Sequence, residues 1–155
     1  MTLLPARASR AAVEAELPAV EAWAARHGWV IAHDLDGLRL RAATYHRPVR
    51  RLVEVIGDVT GYPAVPPAWY FVAIGTDETT KPHFPAPGPT SIFHSNPVIC
   101  APWNRLAYTE HGGPHSDWSG PAAWLQVRNQ TTAHRLADML AVIDANLRAS
   151  PGMMV

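Results

Sequence analysis

The chain has too few cysteines for disulfide bonds and no excess of charge of either sign. Its 155 residues include a single cysteine, Cys100, which has no intramolecular partner. We therefore expect a free thiol in a reducing cytoplasm. Lys and Arg together number 13, and Asp and Glu together also number 13. This balance gives no electrostatic basis for binding nucleic acid or an anionic membrane surface.

Long apolar runs are also missing. The N-terminal segment MTLLPARASR has an apolar run too short for a secretory signal, and Pro5 interrupts it. No stretch approaches the roughly 20 apolar residues of a membrane span. Hydrophobic residues still make up 48% of the chain, which is enough for a core. We expect one soluble domain over residues 1–155.

The spacing of apolar residues predicts two helices. The first covers Arg10–His27 and ends at Gly28. Pro18 indicates either the first turn of a shorter helix or a kink. The second covers Thr131–Ala149, with Thr131 or Thr132 as its N-cap.

Between the helices, short alternating or β-branched runs predict four strands. The connections are too short for parallel pairing, so we expect an antiparallel meander in an α+β fold. The stretch Gly75–Phe93 is proline-rich and aperiodic and is predicted to be an irregular loop. Cys100 is also predicted on a loop, where it is either a small buried hydrophobe or an acyl acceptor. The predicted strands are Trp29–His33, Leu38–Tyr45, Val49–Val59 and Ala68–Ile74.

The order of short motifs resembles that of the ubiquitin-conjugating enzyme (UBC) family. In that family a meander ends in a Tyr-Pro-x-x-Pro-Pro turn and an aromatic strand. A His-Pro-Asn turn, the active cysteine and a Trp-Ser-Pro segment follow in that order. The similarity in order and spacing covers roughly Val13 to Trp124. The matching residues are Tyr62, Pro63, Pro66 and Pro67; His94, Ser95 and Asn96; Ile99 and Cys100; and Trp118, Ser119, Gly120 and Pro121.

Three departures make the chain more similar to divergent bacterial members of that family. Ser95 replaces the proline of the His-Pro-Asn turn, and only three residues separate Asn96 from Cys100. The segment Ala101–Asp117 is longer than in the common eukaryotic form. The resemblance therefore implies a UBC-like domain from a bacterial ubiquitin-like conjugation system.

The resemblance also implies an activity and roles for individual residues. Cys100 would accept a ubiquitin-like protein as a thioester from an activating enzyme and transfer it to an acceptor protein, without a cofactor. Asn96 would stabilise the oxyanion or hold its own turn, and His94 would buttress the turn or act as a base. Asp117 would activate an incoming amine or cap a helix. Trp103 is expected to border the thiol and a partner.

Two alternatives stay open from the sequence. The chain could be a non-catalytic UBC-fold scaffold that binds a ubiquitin-like protein. It could instead be a zinc-binding domain built from histidines and Cys100, because neutral imidazoles and a thiolate are zinc ligands. His111 and His115 have the spacing of one helical face, but the intervening Gly-Gly-Pro excludes a helix there. No metal site is predicted on this basis.

Overall fold

The structure is a computed structural model that describes residues 5–127 and 133–155. It confirms the predicted order of an N-terminal helix, a four-stranded antiparallel sheet and a C-terminal helix, and so a mixed α+β fold. A short hairpin lies between the sheet and the last helix. The helices are α1 (Ala6–His27) and α2 (Leu136–Ala149), and the strands are β1 (Trp29–Asp34), β2 (Arg39–His46), β3 (Arg51–Asp58), β4 (Ala68–Val72), β5 (Phe93–His94) and β6 (Val98–Ile99).

Helix α1 begins four residues earlier than predicted, directly after Pro5. Pro18 lies inside it with an exposed side chain, so the prediction of a shorter helix starting there is wrong. The helix ends where Gly28 adopts a left-handed conformation, with φ 73°, and its N–H donates to the Ala24 carbonyl. A glycine tolerates this conformation without the steric penalty that a Cβ would bring.

The four strands pair in sequence order, β1-β2-β3-β4. Gly57 of β3 lies opposite Trp69 of β4, and a Cβ on Gly57 would come within 2.7 Å of the Trp69 ring. Glycine therefore leaves room for the indole to lie against the sheet. Strand β3 begins two residues later than predicted, because Arg47–Val49 forms a 3-10 turn that ends in a left-handed Arg50.

Helix α2 begins at Leu136, later than the predicted start at Thr131. The structure places residues 133–135 outside the helix, and the predicted caps Thr131 and Thr132 lie outside the described residues. Its apolar stripe faces the same core as α1 and the inner face of the sheet. The fully buried members of that stripe are Leu136, Met139, Leu140 and Ile143.

The predicted irregular segment after β4 is fastened to the C-terminal tail. The N–H of Ala86 donates to the Gly152 carbonyl, and the N–H of Met154 donates to the Phe84 carbonyl. Ser150 is buried and its hydroxyl donates to the Ala86 carbonyl at 2.6 Å. The tail therefore supplies hydrogen-bond partners that this segment cannot find in itself.

Short 3-10 segments complete the connections between these elements. They are Arg47–Val49, Lys81–His83, Arg105–Ala107, Thr109–His111 and Pro121–Gln126. In the part of the chain that the structure describes, neither helix combines the length and the apolar character needed to cross a lipid bilayer.

Candidate functional site around Cys100

Cys100 lies at the open end of the β5–β6 hairpin. Phe93 pairs with Ile99 in this hairpin, and both side chains are buried. The backbone N–H of Cys100 extends the pairing by donating to the Ile92 carbonyl at 2.7 Å. Because side chains alternate along a strand, Cys100 points away from the face that Ile99 buries. The thiol is accordingly only half-buried.

The peptide group that precedes the thiol is held at both ends. Its N–H belongs to Cys100 and donates to Ile92, while its carbonyl belongs to Ile99 and accepts from the side chain of Asn104 at 2.8 Å. Asn104 is fully buried. Its amide also accepts from the Trp69 N–H at 2.8 Å, which joins the cysteine strand to the free edge of β4.

Burial raises the pKa of the Cys100 thiol to about 11. Desolvation is the single cause, since removal from water disfavours the thiolate. Reactive thiols in proteins usually have a lowered pKa, produced by a nearby cation or a helix N-terminus. The isolated protein therefore keeps this cysteine in its protonated form at neutral pH.

The predicted turn residues lie at the other end of the hairpin. Residues 95–97 form the turn, and Asn96 at its tip has an exposed side chain. The backbone N–H of Asn96 donates to Nδ1 of His94 at 3.0 Å, which is the ring hydrogen bond that a buttressing histidine makes. Along an extended strand, four residues span up to about 13 Å. Asn96 and Cys100 thus lie near the two opposite ends of the hairpin.

Asp117 lies on a separate loop, with an exposed side chain. Its Oδ1 lies 3.3 Å from Nδ1 of His115. The imidazole of His115 stacks on Trp118, with ring centroids 3.8 Å apart and planes at 3°. The alternative that Asp117 caps a helix is wrong, because the next helical turn has Gly120 at its N-cap and no side-chain cap.

The prediction for Trp103 is also wrong. Its side chain is 1% exposed and belongs to the core, so it offers no surface to a partner. Trp118 is the tryptophan of this region that stays partly exposed. Adjacency to Cys100 in the sequence suggested the opposite, but the chain turns inward after Ala101, which is buried as well.

Two asparagines that the sequence analysis did not identify hold the base of the hairpin. Asn104 binds the β6 side, and Asn146 of α2 accepts from the Ile92 N–H at 3.0 Å on the β5 side. Asn146 lies 54 residues from Ile92, and Asn104 is also bonded to Trp69, 35 residues away, so no local pattern reveals either role. The only sequence signal is a lone amide inside an apolar run, as in CAPWNRL.

A third unidentified side chain supports the segment that follows. Arg105 is 8% exposed, and its guanidinium donates to the carbonyls of Thr60 at 2.8 Å and Asp58 at 2.9 Å. Burial lowers the pKa of Arg105, and the Asp58 carboxylate opposes this effect. The arginine fixes the chain after the cysteine against the end of β3.

The zinc-binding alternative has no site in the described ranges. Among these residues, no three His, Cys, Asp or Glu side chains come together as metal ligands. His111 ends a 3-10 turn, and Gly112 then adopts a left-handed conformation with φ 83°. His111 and His115 therefore do not lie on one helix, as the Gly-Gly-Pro between them predicts.

A groove of about 560 Å³ lies elsewhere, between the end of β2 and the second half of α2. Thr44, His46 and Leu147 are among the residues that line it, and none of the predicted site residues does. The groove is therefore separate from the surroundings of the cysteine.

Comparison of the chain with protein-family models, with curated proteins and with solved structures finds no match. The geometry of the described residues and the resemblance in motif order are thus the grounds for a functional proposal.

Proposed function

We propose that the protein is a UBC-like carrier that accepts a ubiquitin-like protein as a thioester on Cys100 and transfers it to an acceptor. The observation that carries this proposal is the placement of the cysteine. It directly follows a hairpin strand and is only half-buried, and the hairpin comes after a helix, a four-stranded meander and the proline turn. This is the order of elements that the resemblance implies for a UBC-like fold.

The proposed reaction consists of two exchanges at one sulfur. The Cys100 thiolate attacks the carbonyl carbon of the thioester on an activating enzyme, whose own cysteine leaves and takes up a proton. An acceptor nucleophile, such as an amine, then attacks the new thioester carbonyl, and the Cys100 thiolate leaves and takes up the proton that the amine loses. No redox partner or cofactor is needed to balance either step.

The raised pKa of Cys100 sets a condition on this reaction. With a pKa of about 11, the thiolate fraction at pH 7 is on the order of one in ten thousand. The first exchange therefore needs a proton acceptor or a favourable charge in the complex with the activating enzyme. Nδ1 of the nearby His94 already accepts a hydrogen bond from the turn. We therefore propose that docking of the activating enzyme supplies the proton acceptor or the charge.

Asp117 is the proposed residue for the second exchange. Its carboxylate is exposed beside His115, so it is accessible to an incoming amine. The oxyanion role that the resemblance implies for Asn96 needs its amide within about 3 Å of an oxygen on the carbon bonded to Cys100. Asn96 and Cys100 lie near opposite ends of the hairpin, so we propose the other role for Asn96, which is to hold its own turn beside His94.

A non-catalytic scaffold is the second candidate function. The observation in its favour is the half-buried thiol, whose pKa is raised by desolvation and is not lowered by any cation within residues 5–127 and 133–155. Such a protein would bind a ubiquitin-like protein without forming a covalent bond.

The test is reconstitution with ATP, a bacterial activating enzyme and the ubiquitin-like protein that this enzyme charges. The carrier predicts an adduct on wild-type protein that disappears when a reducing agent is added, and its formation should accelerate with pH. Asp117→Ala should load normally and discharge slowly to an amine. Binding without an adduct, in a system where the activating enzyme is itself charged, would favour the scaffold.

A further inference from the structure

We infer that Asn104 is the residue that positions Cys100, through the peptide group that joins Ile99 to the cysteine. This inference rests on the proposed carrier function, but its main test does not require that function. It assigns a positioning role to a buried asparagine after the cysteine, and this role differs from the two that the sequence analysis gives Asn96.

The amide of Asn104 is completely committed. Nδ2 donates to the carbonyls of Ile99 at 2.8 Å and Trp69 at 3.3 Å, and Oδ1 accepts from the N–H groups of Trp69 at 2.8 Å and Leu106 at 3.3 Å. The residue has no exposed surface. A side chain with two donors and two acceptors all engaged has one orientation, which makes it a rigid brace.

This brace holds the peptide plane from which Cys100 projects. The Cys100 N–H and the Ile99 carbonyl belong to one planar group, and they are bound at opposite ends by the Ile92 carbonyl and by Asn104. Loss of the Asn104 bond would let this plane tilt about the remaining hydrogen bond and shift the Cα–Cβ bond of Cys100. Group-transfer reactions are sensitive to such placement, since a shift of about 1 Å can reduce a rate by a factor on the order of 100.

Asn146 secures the opposite strand and provides an independent variant. Its Oδ1 accepts from the Ile92 N–H, and Ile92 is the residue whose carbonyl holds Cys100. Asn146 is half-buried on α2, where alanine is a good helix former. Asn146→Ala is therefore expected to fold even if Asn104→Ala does not.

The test is alkylation of Cys100 by iodoacetamide as a function of pH, in the purified full-length protein, with folding checked by circular dichroism. Asn104→Ala should release the peptide, lower the midpoint of the pH profile and raise the rate at pH 8 by about tenfold or more, because the thiol gains contact with water. Asn146→Ala should change the profile in the same direction by less. Asn96→Ala is the matched asparagine control and should leave the profile unchanged.

The conservative variant Asn104→Asp separates positioning from simple loss of packing. Burial favours the protonated carboxyl, whose O–H can still donate to the Ile99 carbonyl. We expect this variant to react like wild type at neutral pH. The inference is overturned if Asn104→Ala reacts as slowly as wild type while folded, if Asn96→Ala accelerates alkylation equally, or if Asn104→Asp behaves like the alanine variant.

The role in transfer is measured separately, with the charged activating enzyme as the probe. Asn104→Ala should reduce the single-turnover loading rate at saturation by about tenfold or more, with an unchanged half-saturating concentration. Equal loading by both proteins would overturn the positioning role. If wild type does not load at all, the proposed function fails, whereas the alkylation profile still decides whether Asn104 controls the thiol.

Discussion

Replacing Glu16 by alanine should destabilise the protein far more than the same change two residues earlier. Glu16 of α1 accepts from the Tyr62 hydroxyl at 2.6 Å through Oε2 and from the Leu136 N–H at 2.8 Å through Oε1. One carboxylate thus joins the first helix, the proline turn and the first turn of α2. The Leu136 N–H has no partner within its own helix, so it depends on this oxygen.

The size of the effect follows from these two contacts. A hydrogen bond to a charged group contributes about 1.5–3 kcal/mol, and Glu16 is half-buried, so we expect Glu16→Ala to reduce the free energy of unfolding by about 2–4 kcal/mol. Glu14 forms an exposed ion pair with Arg10, with side chains 51% and 47% exposed. Glu14→Ala should therefore cost less than about 1 kcal/mol.

Urea denaturation of the two variants measures this difference. Both changes replace glutamate by alanine on the same helix, so the helix propensity difference cancels. A double-mutant cycle with Tyr62→Phe should give a coupling energy of about 1–2 kcal/mol for the Tyr62–Glu16 bond. If Glu16→Ala destabilises no more than Glu14→Ala, the proposed junction between the two helices is wrong.

Three other results are expected from the same structure. Burial raises the pKa of Cys100 from 9.0 to about 11 in the folded protein. Its alkylation at pH 7.5 should therefore be roughly a hundredfold slower in native protein than in urea. Equal rates in the two states would show that the thiol is not desolvated by folding. Burial lowers the pKa of His46, so the unfolded chain binds a proton on this imidazole more readily than the folded chain does. The free energy of unfolding should therefore fall as pH drops below about 6.5. In urea titrations at several pH values, His46→Gln should flatten this dependence, and an unchanged slope would contradict it. Arg105→Lys should lower the free energy of unfolding by about 1–3 kcal/mol, because an ammonium group cannot bridge the Asp58 and Thr60 carbonyls as the guanidinium does. Unchanged stability would contradict the importance of these two hydrogen bonds.

The sequence predicted those parts of the fold that local periodicity determines. Both helices and all four strands of the sheet appear in the predicted order, with boundaries that differ most where turns intervene, as at Arg47–Val49. The β5–β6 hairpin was missed because each strand has only two residues, too few to show alternation.

The brace around the cysteine could not be predicted in the same way. Asn104 bonds to Trp69, 35 residues away, and Glu16 bonds to Leu136, 120 residues away. Burial of an amide or a carboxylate is decided by such distant partners rather than by neighbouring residues. The same reason explains Trp103, whose sequence position beside the thiol gave no sign that it faces the core.

The most direct test of the central claim is the intact mass of the protein after incubation with ATP, the charged activating enzyme and its ubiquitin-like protein. The account predicts that wild type gains the mass of the ubiquitin-like protein less one water, and that dithiothreitol removes it. Cys100→Ser should either gain the same mass in a form that resists dithiothreitol but not alkali, or gain none. A dithiothreitol-sensitive adduct that persists in Cys100→Ser, or wild-type protein of unchanged mass beside a fully charged activating enzyme, would contradict the claim that Cys100 is the carrier.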